Sequence, residues 1–441
     1  MAGRRWLVVV GAVLIQLCLG AIYAWSVFTP ALRDAGWTRL QTQVVFSVGL
    51  ASFALMMVFA GKKLKTWGPQ RLAVAGGVTL GAGYLLAGLL GATSFWTVLV
   101  CVGLIGGSGI GLAYVVPIAV GMRWYPDRKG MITGAAVAGF GFGALGWIKV
   151  AGDWGGLIDR IDLNGTFVVY GLAFAALVLA GSTVMRMPPD GWLPEGFVAP
   201  TGAAAGTINF TAREMLRTPQ FHLISLTFAA SAGAGLMAIG LMKLYPVEAL
   251  TESGFTDLEA SAIAGTAMAV FFSLANGIGR IAWGTLSDTL GRKLSLIVMA
   301  ATQGLLMFAF IPMAGNRYTL YVAAALIGFN FGGNFALFPA ITADRFGNQS
   351  VGANYPWVFL AYGFGGIVFP IAGGWLGDLG NFPLAFGLCG AACIVGAVAA
   401  FLVFPPHHDE AEKRFTLKRF FHNAHLFEED FEEDFEEELV G

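Results

Sequence analysis

Apolar residues in this chain come in long, nearly unbroken blocks. Twelve mostly apolar runs cover approximately 6–32, 40–61, 71–92, 95–122, 130–151, 165–187, 219–246, 258–286, 294–313, 318–343, 352–376 and 381–404. About 20 apolar residues in a helix reach across the roughly 30 Å hydrocarbon core of a bilayer, so each run predicts one transmembrane helix. A helix satisfies its backbone amides within its own segment, which lipid requires. The first run follows Arg4 and Arg5, is too long for a signal-peptide core and lacks a small-x-small cleavage site. It therefore predicts a permanent helix.

The polar segments between runs give the organisation. The longest, 188–218, is rich in Pro, Gly and Ala and has no apolar period. It predicts an N-terminal six-helix bundle over 1–187, a linker over 188–218, a C-terminal six-helix bundle over 219–404 and a polar tail over 405–441. If both termini and the even-numbered loops face the cytoplasm, 19 of the 26 Lys and Arg residues lie inside. Six fall at or beyond outer run ends, and Arg280 remains within a run. The excess of inner bases predicts cytoplasmic termini.

Composition agrees: 56% of residues are hydrophobic and 12% charged, against about 45–50% and 25% in soluble domains. The net charge of -1 joins a basic body to a tail with 12 acids and 4 bases. A soluble enzyme, a nucleic-acid binder and a secreted disulfide scaffold are excluded. Cys18, Cys101, Cys389 and Cys393 sit inside apolar runs and read as small core hydrophobes. Four of the five histidines lie in the tail, so neither a metal centre nor a catalytic triad is expected, nor any cofactor. Phe427, Phe431 and Phe435 recur amid the tail's acids; 413–427 reads as an amphipathic segment and 428–438 as an acidic, disordered end.

The halves echo each other. Gly61 and Gly68 follow the second run with the same spacing as Gly284 and Gly291 after the eighth. Tyr114 precedes Arg123 as Phe335 precedes Asp344. Nearly equal offsets predict a duplicated unit.

Several motifs then point to a family. Gly284-Thr-Leu-Ser-Asp288-Thr-Leu-Gly291-Arg292-Lys293 matches the G-x-L-x-D-x-x-G-R-K loop of the major facilitator superfamily. Its first-half counterpart keeps Gly61 and Gly68 but carries Lys65 in place of the aspartate. More narrowly, the chain resembles the oxalate:formate antiporter family and its bacterial monocarboxylate-transporter relatives. The carriers are Tyr23-Ala-Trp25, Arg123-Trp-Tyr-Pro-Asp127-Arg128-Lys-Gly130, Glu214-Met-Leu-Arg-Thr-Pro-Gln-Phe221, Asn276-Gly-Ile-Gly-Arg280, Gly332-Gly-Asn-Phe335-Ala-Leu-Phe-Pro339 and Asn354-Tyr355. The resemblance implies an all-α membrane protein of twelve transmembrane helices in two pseudo-symmetric six-helix bundles, working by alternating access in a bacterial inner membrane. It makes the loop residues Gly284, Asp288, Gly291, Arg292, Lys293, Arg123, Asp127 and Arg128 candidates for gating. There a carboxylate at a helix terminus pairs with a base, or caps a neighbouring helix, in one state and not the other.

Arg280 carries the most information about cargo. A guanidinium at membrane depth costs at least roughly 2.5–3.5 kcal/mol. A snorkelling or internally paired arginine is one reading. An anion site is the other, and it is favoured because no Asp or Glu lies mid-run to neutralise Arg280. The planar fork suits a carboxylate and stays charged. Asn276 lies four residues earlier on the same helical face. Tyr23, Phe28, Tyr114, Phe331, Phe335 and Tyr362 lie well within their runs and are candidates for an aromatic wall. The resemblance adds that Tyr23, Tyr114 and Tyr362 match positions lining the family's substrate path. The oxalate transporter has a second intramembrane cation, a lysine, where Tyr362 stands here. One positive charge suits a monocarboxylate, so the expected cargo is lactate, pyruvate, formate or acetate, with proton symport or anion exchange. The alternatives are an oxalate/formate-type exchanger and an exporter of hydrophobic compounds. Expected partners are the small carboxylate anion, protons and the lipid bilayer.

Overall fold

A computed structural model describes residues 5–37, 39–152, 155–189, 192–194, 209–241 and 244–404. Twelve helices among these residues are long and apolar enough to cross a membrane. They are α1 Arg5–Trp25, α2 Val44–Trp67, α3 Pro69–Leu90, α4 Phe95–Trp124, α5 Lys129–Ala151, α6 Leu157–Ser182, α7 Pro219–Leu241, α8 Asp257–Leu290, α9 Arg292–Met313, α10 Arg317–Phe346, α11 Val351–Gly377 and α12 Phe382–Phe401. Leu55, Leu89, Leu90, Trp96, Leu172, Leu305, Ile371 and Trp375 are exposed. Apolar surface of this extent is a liability in water and ordinary in lipid. The predicted tail segments, Lys243, Asp190 and Glu195 lie outside the described residues.

The chain divides into two compact units. The first comprises Met1–Asp127, Ile132–Glu195 and Asn276–Ile278; the second comprises Arg128–Met131, Gly196–Ala275 and Gly279–Gly441. In the first unit α3 packs on α4 and α6, and α1 packs on α4 and α6. In the second, α7 packs on α11 and α12, and α9 packs on α10 and α12.

Local chemistry sets the helix ends. Thr218 caps α7 by accepting from Phe221 N at 3.3 Å, with Pro219 in the first helical position. Thr256 and Glu259 form a reciprocal capping box at the start of α8. Asn381 caps α12 through Leu384 N. Gly68 and Gly291 make the tight turns before α3 and α9 with near-identical backbone angles, φ 79° and ψ 158° against φ 82° and ψ 152°. Only glycine takes such a conformation without strain. The turn glycines that follow α2 and α8 thus share one backbone conformation.

Several expected runs are shaped differently from plain helices. The first, expected over 6–32, is helical over Arg5–Leu19 and continues as a 3₁₀ segment over Gly20–Val27. A Cβ at Gly20 would overlap the Phe140 carbonyl, so α1 and α5 touch backbone to backbone there. The tighter winding lengthens this segment and re-aims Tyr23 and Trp25. The seventh run, expected to reach 246, is helical over Pro219–Leu241 and again over Leu244–Glu252 among the described residues. In α6 the chain breaks helical geometry at Ile161 and Asp162, where φ of Asp162 is 57°. α4 and α8 contain π-helical stretches at Leu99–Gly106 and Ala267–Phe272.

A Cβ at Gly279 would overlap the Phe329 carbonyl, which makes this glycine the close-approach point of α8 and α10. Gly279→Val is therefore expected to cost about 1–3 kcal/mol of stability, the usual range for overpacking. Gly146, with nothing within 4 Å of an added Cβ, should accept alanine without loss. Melting temperatures of the two variants in detergent check this; equal values would show that α8 and α10 are not in backbone contact.

Candidate functional site

In the second unit, Arg280 of α8 is fully buried, with 0% of its surface exposed. Its guanidinium carbon stands 4.1 Å from the centroid of the Phe335 ring on α10. That distance is within the range of a cation–π contact, which is strongest when desolvated. Phe335 meets Phe331 edge-on at 5.3 Å and Tyr362 at 5.4 Å. Tyr362 of α11 continues to Phe359 at 4.8 Å and Phe228 of α7 at 6.1 Å. Phe331 and Phe335, four apart on α10, present one stripe. The structure thus brings Arg280, Phe331, Phe335 and Tyr362 together. Asn276 is buried one turn before Arg280, within the three residues of α8 that group with the first unit.

The first unit holds a separate aromatic group. Tyr23 contacts Phe140 at 5.1 Å, Phe140 contacts Tyr114 at 5.6 Å, and Tyr114 contacts Phe53 at 5.0 Å. Gln16 of α1 is fully buried and donates through Nε2 to the Tyr114 carbonyl at 3.3 Å. Phe28 packs elsewhere, against Phe167 at 4.9 Å and Tyr170 at 5.6 Å.

Two of the loop candidates, Asp288 and Arg292, form a charged cluster with Lys129 and Asp344 within the second unit. Asp288 Oδ1 accepts from Gly130 N at 3.0 Å, and Oδ2 accepts from Met131 N at 2.7 Å. A carboxylate at the first amides of α5 is a favourable N-terminal cap. Arg292 pairs with Asp288 and donates from Nε to Asp344 Oδ2 at 3.0 Å. Lys129 Nζ reaches Asp344 Oδ1 at 2.6 Å. Two acids and two bases alternate, so the cluster is neutral. Gly130 and Gly284 stand so close that a Cβ on either would overlap the other's carbonyl. Lys293 lies over the Phe404 ring at 4.0 Å. Arg123 is half-buried in the last turn of α4, and Asp127 and Arg128 are exposed in the loop that follows. In that loop burial raises the Tyr125 hydroxyl pKa, an effect that Arg5 opposes and Asp127 reinforces.

Sequence reading passed over Lys129 and Asp344 as gating residues, although Lys129 sits inside a quoted motif and Asp344 marks the repeat. It also passed over Gln16, Asn330 and Asn334, whose signal is a carboxamide within an apolar run. Asn354 proves to tie the linker down: its Nδ2 donates to the Phe210 carbonyl at 3.0 Å, while Phe210 N donates to Phe346 O at 3.1 Å.

A buried guanidinium on an aromatic wall can bind an anion, and a carboxylate–amide cap can open and close. The family model of the Major Facilitator Superfamily matches residues 8–271 and 249–428. The chain is 30% identical over 373 residues to an uncharacterised MFS-type transporter of Escherichia coli, YhjX, covering 82% of this chain and 86% of that one. It is 25% identical to the oxalate:formate antiporter of Oxalobacter formigenes, covering 92% and 91%, and 27% identical to apicoplast pyruvate carrier 1 of Toxoplasma gondii, covering 81% of each. The crystal structure of the Escherichia coli fucose:proton symporter FucP shares the fold, with a TM-score of 0.65 at 16% identity over 90% of this chain and 97% of that one. This protein is an integral, multi-pass membrane protein and belongs to the major facilitator superfamily.

Proposed function

We propose that the protein is a secondary active transporter of small monocarboxylates of the lactate, pyruvate, formate and acetate class, working by alternating access. The observation that carries this reading is Arg280, fully buried on an aromatic ring, where a carboxylate is its natural guest. A planar fork binds both carboxylate oxygens, and a dry site strengthens that bond relative to water. Relatives named for oxalate, formate and pyruvate carriage support the ligand class. Tyr362, where the oxalate transporter has a lysine, supports one carboxylate rather than two. Asn276, Tyr23, Tyr114, Phe331 and Phe335 complete the proposed binding set. Phe28 joins it only through its neighbours in α1.

The Asp288–Arg292–Asp344–Lys129 cluster is the proposed gate, holding one state until the substrate-loaded protein reorients. Arg123, Asp127, Arg128 and Lys293 border it in sequence. The bundles are taken as 1–187 and 219–404, and the 19 inner bases orient both termini toward the cytoplasm of a bacterial inner membrane.

Proton symport and anion exchange both fit, because the runs carry no mid-membrane acid. In symport the carboxylate would cross together with a proton, the neutral Arg280–carboxylate pair being the form that reorients; in exchange a second anion would replace the first. Uptake of labelled lactate, pyruvate, formate, acetate and oxalate by proteoliposomes, with and without a pH gradient, tests the proposal. Saturable monocarboxylate uptake that exceeds oxalate uptake is expected. Loss of uptake on collapse of the gradient marks symport, and uptake driven by internal anion marks exchange. Uptake of none of the acids, or preference for oxalate, sinks the reading.

A further inference from the structure

Three residues after Arg280, Trp283 connects α8 to α10 and α9. Its indole Nε1 donates to Asn330 Oδ1 at 3.1 Å, and Asn330 Nδ2 donates to Thr302 Oγ1 at 3.0 Å. Trp283 and Asn330 are both buried. The indole lies against Gly333, where an added Cβ would stand 2.5 Å from Trp283 Cδ1 and 2.7 Å from Met299 Sδ. Residues three apart on a helix share a face. Arg280 and Trp283 therefore address the same neighbour, α10, and make two rungs between the same pair of helices: guanidinium on Phe335, and indole on Asn330. Asn334 stiffens the second rail. Its Nδ2 donates to the carbonyls of Asn330 and Phe331 at 3.3 and 3.1 Å, and its Oδ1 accepts from Ser231 of α7 at 2.5 Å.

The two rungs differ in kind. A ring contact is tolerant of sliding, and the close glycine contact at Gly279 sets the distance between helices but not their rotation. A hydrogen bond between an indole N–H and a carboxamide is directional, and a buried donor left without its acceptor is costly. The polar rung can therefore fix the rotation and height of α8 that keep the guanidinium over the Phe335 ring.

We propose that Trp283 and Asn330 are positioning residues for Arg280: the chain from indole to carboxamide to the Thr302 hydroxyl holds the guanidinium on Phe335 and so sets affinity for the anion. Its kinetic consequence rests on the transport reading above; its geometric consequence does not.

The test uses Trp283→Phe, which keeps an aromatic ring and removes the donor, in the purified full-length protein. Phenylglyoxal, an arginine-directed reagent, is applied to the protein in detergent, and modification of Arg280 is followed by peptide mass spectrometry. A several-fold faster modification of Arg280 is expected in Trp283→Phe, because the guanidinium leaves its ring. In proteoliposomes the same variant should raise KM for pyruvate by about 3- to 10-fold, the equivalent of one lost buried hydrogen bond, with maximal rate within about twofold. In a Phe335→Leu background, where no ring remains to be held, Trp283→Phe should add nothing further to KM. Thr302→Val, isosteric and at the half-buried far end of the chain, should move both readouts the same way by a smaller factor and serves if Trp283→Phe does not fold. An unchanged modification rate of Arg280 overturns the proposal, as do KM effects that multiply in the double variant. If the unaltered protein takes up none of the acids, the transport reading fails and the labelling rate still decides the positioning.

Discussion

Arg280→Lys is expected to reduce monocarboxylate uptake by roughly 10²- to 10³-fold, and Arg280→Ala to abolish it. Lysine keeps the charge, so its deficit isolates geometry. The ammonium cannot offer two parallel N–H donors, and it loses the planar contact with Phe335, whose centroid lies 4.1 Å from the guanidinium carbon. Charge-assisted hydrogen bonds are worth about 1.5–3 kcal/mol, and a desolvated cation–π contact about 2 kcal/mol. Losing much of both corresponds to the stated factor. A buried ammonium is also easier to deprotonate than a guanidinium, which removes the charge itself in part of the population. Initial rates in proteoliposomes, normalised to folded protein by size-exclusion chromatography, read the effect. Phe335→Leu should sit between the extremes, because it removes the ring and leaves the fork. Unimpaired transport by folded Arg280→Ala protein would overturn the site and favour an exporter of hydrophobic compounds.

Arg280 is conspicuous in the sequence because a base within an apolar run is costly unless it snorkels, is paired or meets an anion. The ring beneath it is not conspicuous. The chain carries 36 phenylalanines, and which one meets the guanidinium depends on the rotation of α8 against α10, which apolar periodicity does not encode. The same limit explains Phe28. Its place within the first run was visible, but its partners were not: it follows the 3₁₀ segment Gly20–Val27 and packs against Phe167 and Tyr170. Span number was legible because lipid imposes one length on every crossing. Helix character within a span was less so, because π and 3₁₀ segments arise from packing, as at Gly20 against the Phe140 carbonyl. The turn glycines were legible because a positive φ of 79° or 82° selects one residue type. Lys129 was hidden for the opposite reason. Bases abound at helix ends, and only proximity distinguishes the one that reaches Asp344.

The neutral cluster makes a second strong prediction. Asp288→Asn should lower the maximal rate of uptake by about 10- to 100-fold while leaving KM within about threefold. The carboxylate accepts two backbone amides, Gly130 N and Met131 N, and faces Arg292. An asparagine of the same shape can accept one of those amides, but its own N–H₂ opposes the second, and Arg292 then shares Asp344 with Lys129 as two bases on one acid. Losing a charge-assisted hydrogen bond of this part-buried cluster costs about 1.5–3 kcal/mol in the state that contains it. That is enough to shift a two-state equilibrium by a factor of about 10 to 10². The binding residues around Arg280 are untouched, so affinity should survive and turnover should not. Restoring neutrality supplies the internal control: Asp288→Asn combined with Lys129→Gln leaves Arg292 to Asp344 alone and should recover part of the lost rate. A rate unchanged by Asp288→Asn, or a KM that rises as far as the rate falls, would mean that the cluster only holds the turn together and does not set the populations through which substrate passes.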